Sequence, residues 1–124
     1  MEPPSLEVVI ALQQLRAQPR WKADRDIVHL RKRQRRGHLT ADVTMDTYNE
    51  LIRSLVQTPT SLVYRYPVAG RNYYAVRGPM FEREWLVIFN RDGTLETAFP
   101  PNAIDSYVQI HGFEYLGTIG EVLP

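Results

Sequence analysis

The spacing of apolar residues predicts a helix at the start of the chain. Leu6, Val9, Ile10 and Leu12 or Gln13 recur at helical intervals. Ser5 stands in the N-cap position ahead of them, and Pro19 ends the segment. We therefore predict a helix over residues 6–18.

Two further helices are predicted in the first half of the chain. The first, over residues 24–36, has acidic residues in its first turn, basic residues in its last turn and Gly37 at the position of a left-handed C-terminal cap. Because it contains few apolar residues, we expect it at the rim of the core. The second begins near Thr44 or Asp46 and ends near Gln57. Its buried stripe is predicted to comprise Tyr48, Leu51, Ile52, Leu55 and Val56.

After Pro59 the apolar positions alternate, which predicts β-strands. The strands are expected over residues 61–66, 72–77, 85–90 and 94–99. Gly78 and Pro79 are expected to end the second strand, and the turn sequence of residues 90–93 predicts a hairpin before the last. Residues 85–89 are apolar at every position, so this strand should be central and buried on both faces.

This order of elements predicts an α+β fold, with N-terminal helices packed on one face of an antiparallel meander sheet of about four strands. We expect a single domain over residues 1–124. Residues 1–20 would supply an N-terminal helix, residues 24–101 the central core, and residues 102–124 a C-terminal extension. The apolar pattern of that extension fits a strand, a short helix or both.

Composition excludes several classes of protein. The chain has 124 residues, 44% of them hydrophobic and 23% charged, which is ordinary for a globular domain. It has no cysteine, so a disulfide scaffold, a thiolate nucleophile and a cysteine-based zinc site are ruled out. No apolar run approaches the roughly 20 residues of a membrane helix, and the first residues lack the pattern of a secretory signal. We therefore expect a cytoplasmic protein that does not enter membranes.

The net charge of +1 hides a local asymmetry. Residues 20–38 contain eight basic and two acidic residues, whereas residues 78–124 contain two basic and seven acidic ones. The basic segment is what a polyanion would meet first. RNA, DNA, an acidic protein and a lipid surface all fit this pattern, and so does a solvated helix face.

The sequence lacks the common catalytic motifs: the dinucleotide-binding glycine pattern, the phosphate-binding P-loop, the H-E-x-x-H zinc motif and the G-x-S-x-G elbow. Its three histidines, His29, His38 and His111, show no short metal-ligand spacing. We therefore predict neither a metal nor another cofactor.

His29 has the right neighbours for phosphodiester cleavage. On a helix, Lys32 and Arg33 share its face, and Arg36 follows one turn later. A histidine can move a proton on or off the ribose 2′-hydroxyl or the leaving 5′-oxygen, while the cations hold the phosphate and oppose its developing charge. Nearby cations also lower the pKa of a histidine, which favours the neutral base. A surface histidine in a basic helix has the same pattern.

Several motifs in order resemble a divergent superfamily of ribonucleases. These are the segment HLRKRQRRG, an amphipathic helix that ends near a proline, the apolar strand WLVIF, an Asp-Gly turn and the strand motif TAF. Together they resemble the barnase–EndoU–colicin–RelE-like group, especially its small phage and toxin branches. The resemblance covers roughly residues 24–101. It implies a small metal-independent endoribonuclease of toxin type, which cleaves RNA by 2′-hydroxyl attack and leaves a cyclic phosphate.

The resemblance also implies roles for individual residues. His29 would be the acid–base residue, Arg33 a contact to the phosphate or transition state, and Thr97 a hydroxyl that orients the scissile phosphate. Simple alternation places Thr97 on the same face as Leu95 and Phe99, where it would be an ordinary half-buried strand residue. Further candidates for nucleic-acid contacts are Arg31, Lys32, Arg35, Arg36, Arg65 and Arg77.

Two other functions stay open at this point: a non-catalytic nucleic-acid-binding module and a protein-interaction module on the same fold. RNA is the expected partner, and a toxin would also need an acidic antitoxin or immunity-type protein over residues 20–38. Only the catalytic hypothesis predicts that His29→Ala abolishes cleavage while RNA binding persists. No residue requires a particular oligomeric state.

Overall fold

The computed structural model describes residues 6–123, which form five helices and a six-stranded sheet. In chain order the elements are α1 (Leu6–Ala17), β1 (Arg20–Trp21), α2 (Asp26–Arg35), α3 (Met45–Gln57), β2 (Leu62–Val68), β3 (Arg71–Met80), β4 (Arg83–Phe89), β5 (Thr94–Phe99), α4 (Ile104–Ile110), β6 (Glu114–Thr118) and α5 (Ile119–Val122). The α+β class predicted from the sequence is confirmed. The predicted N-cap, Ser5, lies outside the described residues.

The sheet is larger than the predicted meander. Its strand order is β1-β5-β4-β3-β2-β6, in which β2 to β5 form the expected antiparallel meander. β1 pairs parallel to β5, and β6 pairs antiparallel to β2. The predicted end of β3 at Gly78 is wrong, because the strand continues to Met80 and turns at Phe81 and Glu82, both with positive φ. Gly78 packs closely: a Cβ there would lie 2.8 Å from the Ser61 hydroxyl oxygen.

The main core lies between the sheet and helices α1 and α3. Its largest fully buried side chains include Trp85, Tyr48 and Phe89. The Tyr48 hydroxyl donates a buried hydrogen bond of 2.8 Å to the carbonyl oxygen of Ala98 in β5. The predicted stripe of α3 is confirmed, and the side-chain oxygen of Thr44 caps its N-terminus. Residues from α1 and α5 join the same core.

The helix predicted at the start of the chain is present as α1, and its exposed side carries two apolar residues. Leu6 is 71% exposed and Ile10 is 46% exposed. The residues that α1 buries are Val8, Ala11, Leu12 and Leu15. They form a complete i, i+3, i+4, i+7 stripe along the helix.

Helices cover both faces of the sheet: the N-terminal helices α1 and α3 pack on one face, as expected, and α4 of the C-terminal extension packs on the other. The second face buries the side chains of Tyr64, Ala75, Leu86 and Ile88. Ile104 and Tyr107 of α4 pack against this cluster. The C-terminal extension therefore contains both of the elements its pattern allowed, a short helix and a strand. The central strand β4 is buried on both faces, as predicted from its continuous apolar run.

Helix α2 docks against the free edge of β5. β1 pairs only with Thr94 and Leu95, so the rest of that edge is open to α2. A bulge in β5 pairs Leu95 with Phe89 and Thr97 with Ile88, so Thr97 and Leu95 face opposite sides of the sheet. The prediction that Thr97 shares a face with Leu95, made from simple alternation, is therefore wrong. The bulge turns Thr97 and Phe99 toward the side on which α4 lies.

Candidate active site

A cleft of about 540 Å³ lies between the C-terminal part of α2, the end of β5 and α4. We call it the α2–α4 cleft. Its lining residues are Lys32, Arg33, Arg36, His38, Thr97, Phe99, Pro100, Pro101, Asn102, Ala103, Ser106, Tyr107, Ile110 and His111. The wall formed by α2 is cationic and carries Lys32, Arg33 and Arg36. The opposite wall, which we call the α4 wall, is formed by α4 and its flanking residues and carries Asn102, Ser106, Tyr107, Ile110 and His111.

Arg33 is the most unusual residue of the cleft. Its side chain is only 4% exposed, and its guanidinium carbon lies 5.6 Å from the ring centre of Phe99. Among the described residues no Asp or Glu forms an ion pair with it, and its Nε is buried without a hydrogen-bond partner. Burial lowers the pKa of Arg33; the interaction with Tyr48 opposes this shift, and the charge of Arg36 adds to it. Because buried cations in proteins are normally paired, this guanidinium is placed to receive an anion.

His38 reaches Arg33 because the chain reverses direction at the end of α2. Gly37 adopts a left-handed φ of +72°, and the backbone N–H of His38 donates to the carbonyl of Arg33 at 2.9 Å. Nδ1 of His38 then lies 3.2 Å from a terminal nitrogen of Arg33. A guanidinium only donates, so Nδ1 accepts and the ring proton of neutral His38 is on Nε2. Burial lowers the pKa of His38, and Arg33, Arg83 and Arg36 lower it further.

His29 lies one helical turn before Arg33, half-buried against β5. Its ring stacks on Trp21 with centroids 5.2 Å apart, and Trp21 is itself held by a 2.8 Å hydrogen bond to Asn49. Nδ1 of His29 is 3.4 Å from the hydroxyl oxygen of Thr97, which lines the cleft. Burial is the largest cause of the lowered pKa of His29, followed by the charges of Arg25, Arg33 and Lys32. The neutral form of this imidazole is therefore favoured.

The structure separates the other predicted nucleic-acid contacts into two groups. Lys32 and Arg36 line the cleft, whereas Arg31 and Arg35 are exposed on α2 outside it.

The two sheet arginines do not line the cleft and are already paired. Arg65 forms a 3.0 Å ion pair with Glu114. Arg77 is held by Glu84 and Asp105; burial by itself would lower its pKa, but these hydrogen bonds raise it. Of the six further candidates, only Lys32 and Arg36 therefore line the cleft together with Arg33 and Thr97. His29 does not line the cleft and adjoins it through its contact with Thr97.

Three features of this site were not predicted from the sequence: the position of His38, the position of Trp21 and the wall formed by α4. A signal was present for His38, since a residue directly after a left-handed glycine cap returns toward the last turn of its helix. Trp21 lies in the two-residue strand β1, which is recognisable only from its pairing with β5. The position of α4 depends on the sheet face that it covers, which the chain pattern did not fix.

Residues 6–123 contain no cluster of three or more His, Asp or Glu side chains arranged to bind a metal. None of the helices in this part of the chain has the length and apolar character to cross a membrane. No protein-family model, curated protein or solved structure matches the chain. The chemistry of the α2–α4 cleft is therefore the basis for the function proposed below.

Proposed function

We propose that the protein is a small metal-independent endoribonuclease of toxin type, which cleaves RNA by attack of a ribose 2′-hydroxyl on the adjacent phosphorus. The observation that carries this proposal is the buried guanidinium of Arg33 in a cationic cleft, with which no Asp or Glu of residues 6–123 forms an ion pair. A phosphodiester would supply its missing counter-ion, and Lys32 and Arg36 would hold the same group from the cleft wall. Charge that builds on the phosphate oxygens during reaction would then be opposed by fixed cations.

His29 is assigned as the general base. If its Nδ1–H donates to the Thr97 hydroxyl, its Nε2 carries the lone pair that accepts the 2′-hydroxyl proton. The lowered pKa of His29 keeps this nitrogen unprotonated near neutral pH. Thr97 is a positioning residue in this scheme, because it acts through the imidazole that it orients.

The departing 5′-oxygen needs a proton, which we assign to the Lys32 ammonium. Lys32 lies three residues after His29 on α2 and lines the cleft. The 2′-oxygen forms its bond to phosphorus, the bond from phosphorus to the 5′-oxygen breaks, and the products are a 2′,3′-cyclic phosphate and a 5′-hydroxyl. His38, with its proton on Nε2, serves as a neutral hydrogen-bond donor to a phosphate oxygen.

The proposal is tested by incubation of labelled total RNA with the wild-type protein in EDTA. We expect cleavage that leaves cyclic-phosphate ends, abolished by His29→Ala and retained by Arg35→Ala, which changes an exposed charge on the same helix outside the cleft. Equal cleavage by wild type and His29→Ala would overturn the assignment of His29. Intact RNA together with salt-sensitive binding would instead indicate a non-catalytic binding module.

The role of Lys32 is tested with a substrate that needs no acid catalyst. We expect Lys32→Ala to lose cleavage of a dinucleotide but to retain most of its cleavage of a nucleoside 3′-(p-nitrophenyl phosphate), whose leaving group departs without a proton. An equal loss on both substrates would assign Lys32 to phosphate binding alone.

The role of Thr97 is tested through the pH profile. We expect Thr97→Val to reduce kcat roughly tenfold, the effect of one lost hydrogen bond of about 1–1.5 kcal/mol, and to shift the acid limb of the profile. Thr97→Ser is expected to restore both. Unchanged kcat and profile in Thr97→Val would remove this residue from the site. The acidic antitoxin or immunity-type partner over residues 20–38 stays a prediction.

A further inference from the structure

The α4 wall of the cleft carries side chains that the cleavage chemistry does not use: Tyr107 is half-buried, and Ile110 and His111 are exposed. Tyr107 and His111 lie one turn apart, with ring centroids 4.1 Å apart and an angle of 35° between their planes. Ile110 stands beside them and is 78% exposed. All three line the cleft opposite the cationic residues of α2. Helix α4 lies outside residues 24–101, so the ribonuclease resemblance says nothing about it.

Neighbouring aromatic rings support Tyr107 and His111. The Phe99 ring meets Tyr107 edge-on at 5.3 Å, and Tyr66 meets His111 edge-on at 6.3 Å. Tyr66 in turn stacks on Phe113 at 4.3 Å. A surface of supported aromatic rings binds a planar group at a small cost in side-chain entropy.

The two walls match the two halves of a nucleotide. Arg33, Lys32 and Arg36 offer positive charge for a phosphate, and Tyr107 and His111 offer rings for a base. The volume of about 540 Å³ lies within the roughly 300–1,000 Å³ of small-molecule pockets. This space suits one nucleotide unit whose phosphate is on one wall and whose base is on the other.

We propose that the α4 wall is a base-stacking subsite, which takes one unpaired nucleobase of single-stranded RNA next to the scissile phosphate. This inference rests on the proposed function only in placing that phosphate at Arg33. A base within a duplex has both faces covered by its neighbours, so stacking on Tyr107 and His111 requires a splayed base. Asn102 and Ser106 line the same wall and give the base edge polar partners, which makes the site selective among bases.

The test compares the affinities of inorganic phosphate, ribose 5-phosphate and the four nucleoside 3′-monophosphates for the full chain by calorimetry. We expect at least one nucleotide to bind 5- to 150-fold more tightly than ribose 5-phosphate, the range that base–aromatic stacking supplies. His111→Ala and Tyr107→Leu are expected to remove most of this advantage without weakening phosphate binding. Tyr115→Ala is the matched control, because Tyr115 is 53% exposed on β6 and does not line the cleft.

A measurement on the wild-type protein keeps the proposal testable if a variant fails to fold. Ring-proton NMR signals of Tyr107 and His111 are expected to shift on addition of the nucleotide but not of ribose 5-phosphate.

Equal affinity for phosphate, ribose 5-phosphate and all four nucleotides would refute the subsite, while cleavage of RNA in EDTA would still support the proposed function. Base-dependent binding that needs Tyr107 or His111, with RNA left intact, would support the subsite and refute catalysis. The two proposals therefore fail separately. A base-dependent advantage that survives both variants would place the base elsewhere and overturn the inference.

Discussion

Replacing Arg33 with methionine tests whether this residue serves anion binding or the stability of the fold. Methionine keeps much of the apolar stem and removes the charge that no described carboxylate pairs. An uncompensated buried cation destabilises a folded protein, and natural sites retain such groups when a ligand needs them. We therefore expect Arg33→Met to fold, to lose anion binding and not to lose stability.

The magnitude follows from what the substitution removes. The hydrogen bond to His38 contributes about 1 kcal/mol, and the contact with the Phe99 ring contributes roughly 0.5–1 kcal/mol. Against these stands the desolvation of an unpaired cation, which costs on the order of several kcal/mol. In a phosphate-free buffer we expect the free energy of unfolding to be unchanged or to rise by about 1–3 kcal/mol.

The assay is urea unfolding followed by tryptophan fluorescence, in chloride and in phosphate buffers of equal ionic strength. Phosphate at a hundred times its Kd stabilises a protein that binds it by about 2.7 kcal/mol, and we expect this gain in the wild type but not in Arg33→Met. Arg35→Met is the control and should keep the gain. A variant that loses more than about 2 kcal/mol in chloride, and is stabilised by phosphate as much as the wild type, would show that Arg33 is structural.

The lowered pKa values of His29 and His38 mean that the unfolded chain binds more protons below pH 6.5. The free energy of unfolding should therefore fall as the pH drops from 6.5 through the folded-state pKa values, by at most about 1.4 kcal/mol per pH unit for each histidine. Urea titrations should show that the free energy of unfolding of the double variant His29→Gln/His38→Gln depends less steeply on pH. The salt dependence of RNA binding is measured by fluorescence anisotropy with 2′-O-methyl single-stranded RNA. We expect Arg36→Ala to reduce the slope of log K against log salt by about 0.7, whereas Arg35→Ala should leave it unchanged. Equal slopes in both variants would remove Arg36 from the phosphate contacts. Gly93→Ala should lower the free energy of unfolding by about 2 kcal/mol or more, because φ at this position is +80° and a Cβ would lie 2.7 Å from a backbone oxygen of α1. A loss below about 0.5 kcal/mol, measured by urea unfolding, would contradict this packing.

The elements that the sequence predicts well are those whose pattern is long and unambiguous. α3 has one apolar stripe and a Thr44 cap, and β4 is apolar throughout, so both followed from local chemistry. α1 has apolar residues on more than one face, and only packing against the sheet decides which face is buried. β1 has two residues and exists through its pairing with β5, so no local pattern marks it.

Part of the candidate site also follows from the sequence. Helical spacing alone places His29 and Arg33 on one face of α2. The approach of Thr97 to His29 joins residues 68 apart in the chain and depends on the bulge in β5, which alternation does not predict. The burial of Arg33 away from every carboxylate of residues 6–123 is a property of the packed structure, whereas the sequence shows only a run of basic residues.

The central claim is most directly tested with a pool of DNA oligonucleotides that contain one ribonucleotide in randomised surroundings, incubated with the protein in EDTA. Attack by a 2′-hydroxyl has one position available in each molecule. The account predicts cuts only on the 3′ side of the ribonucleotide, with cyclic-phosphate ends, in the wild type and not in His29→Ala. A pool that stays intact, or products with 3′-hydroxyl ends or cuts at deoxynucleotides, would contradict it.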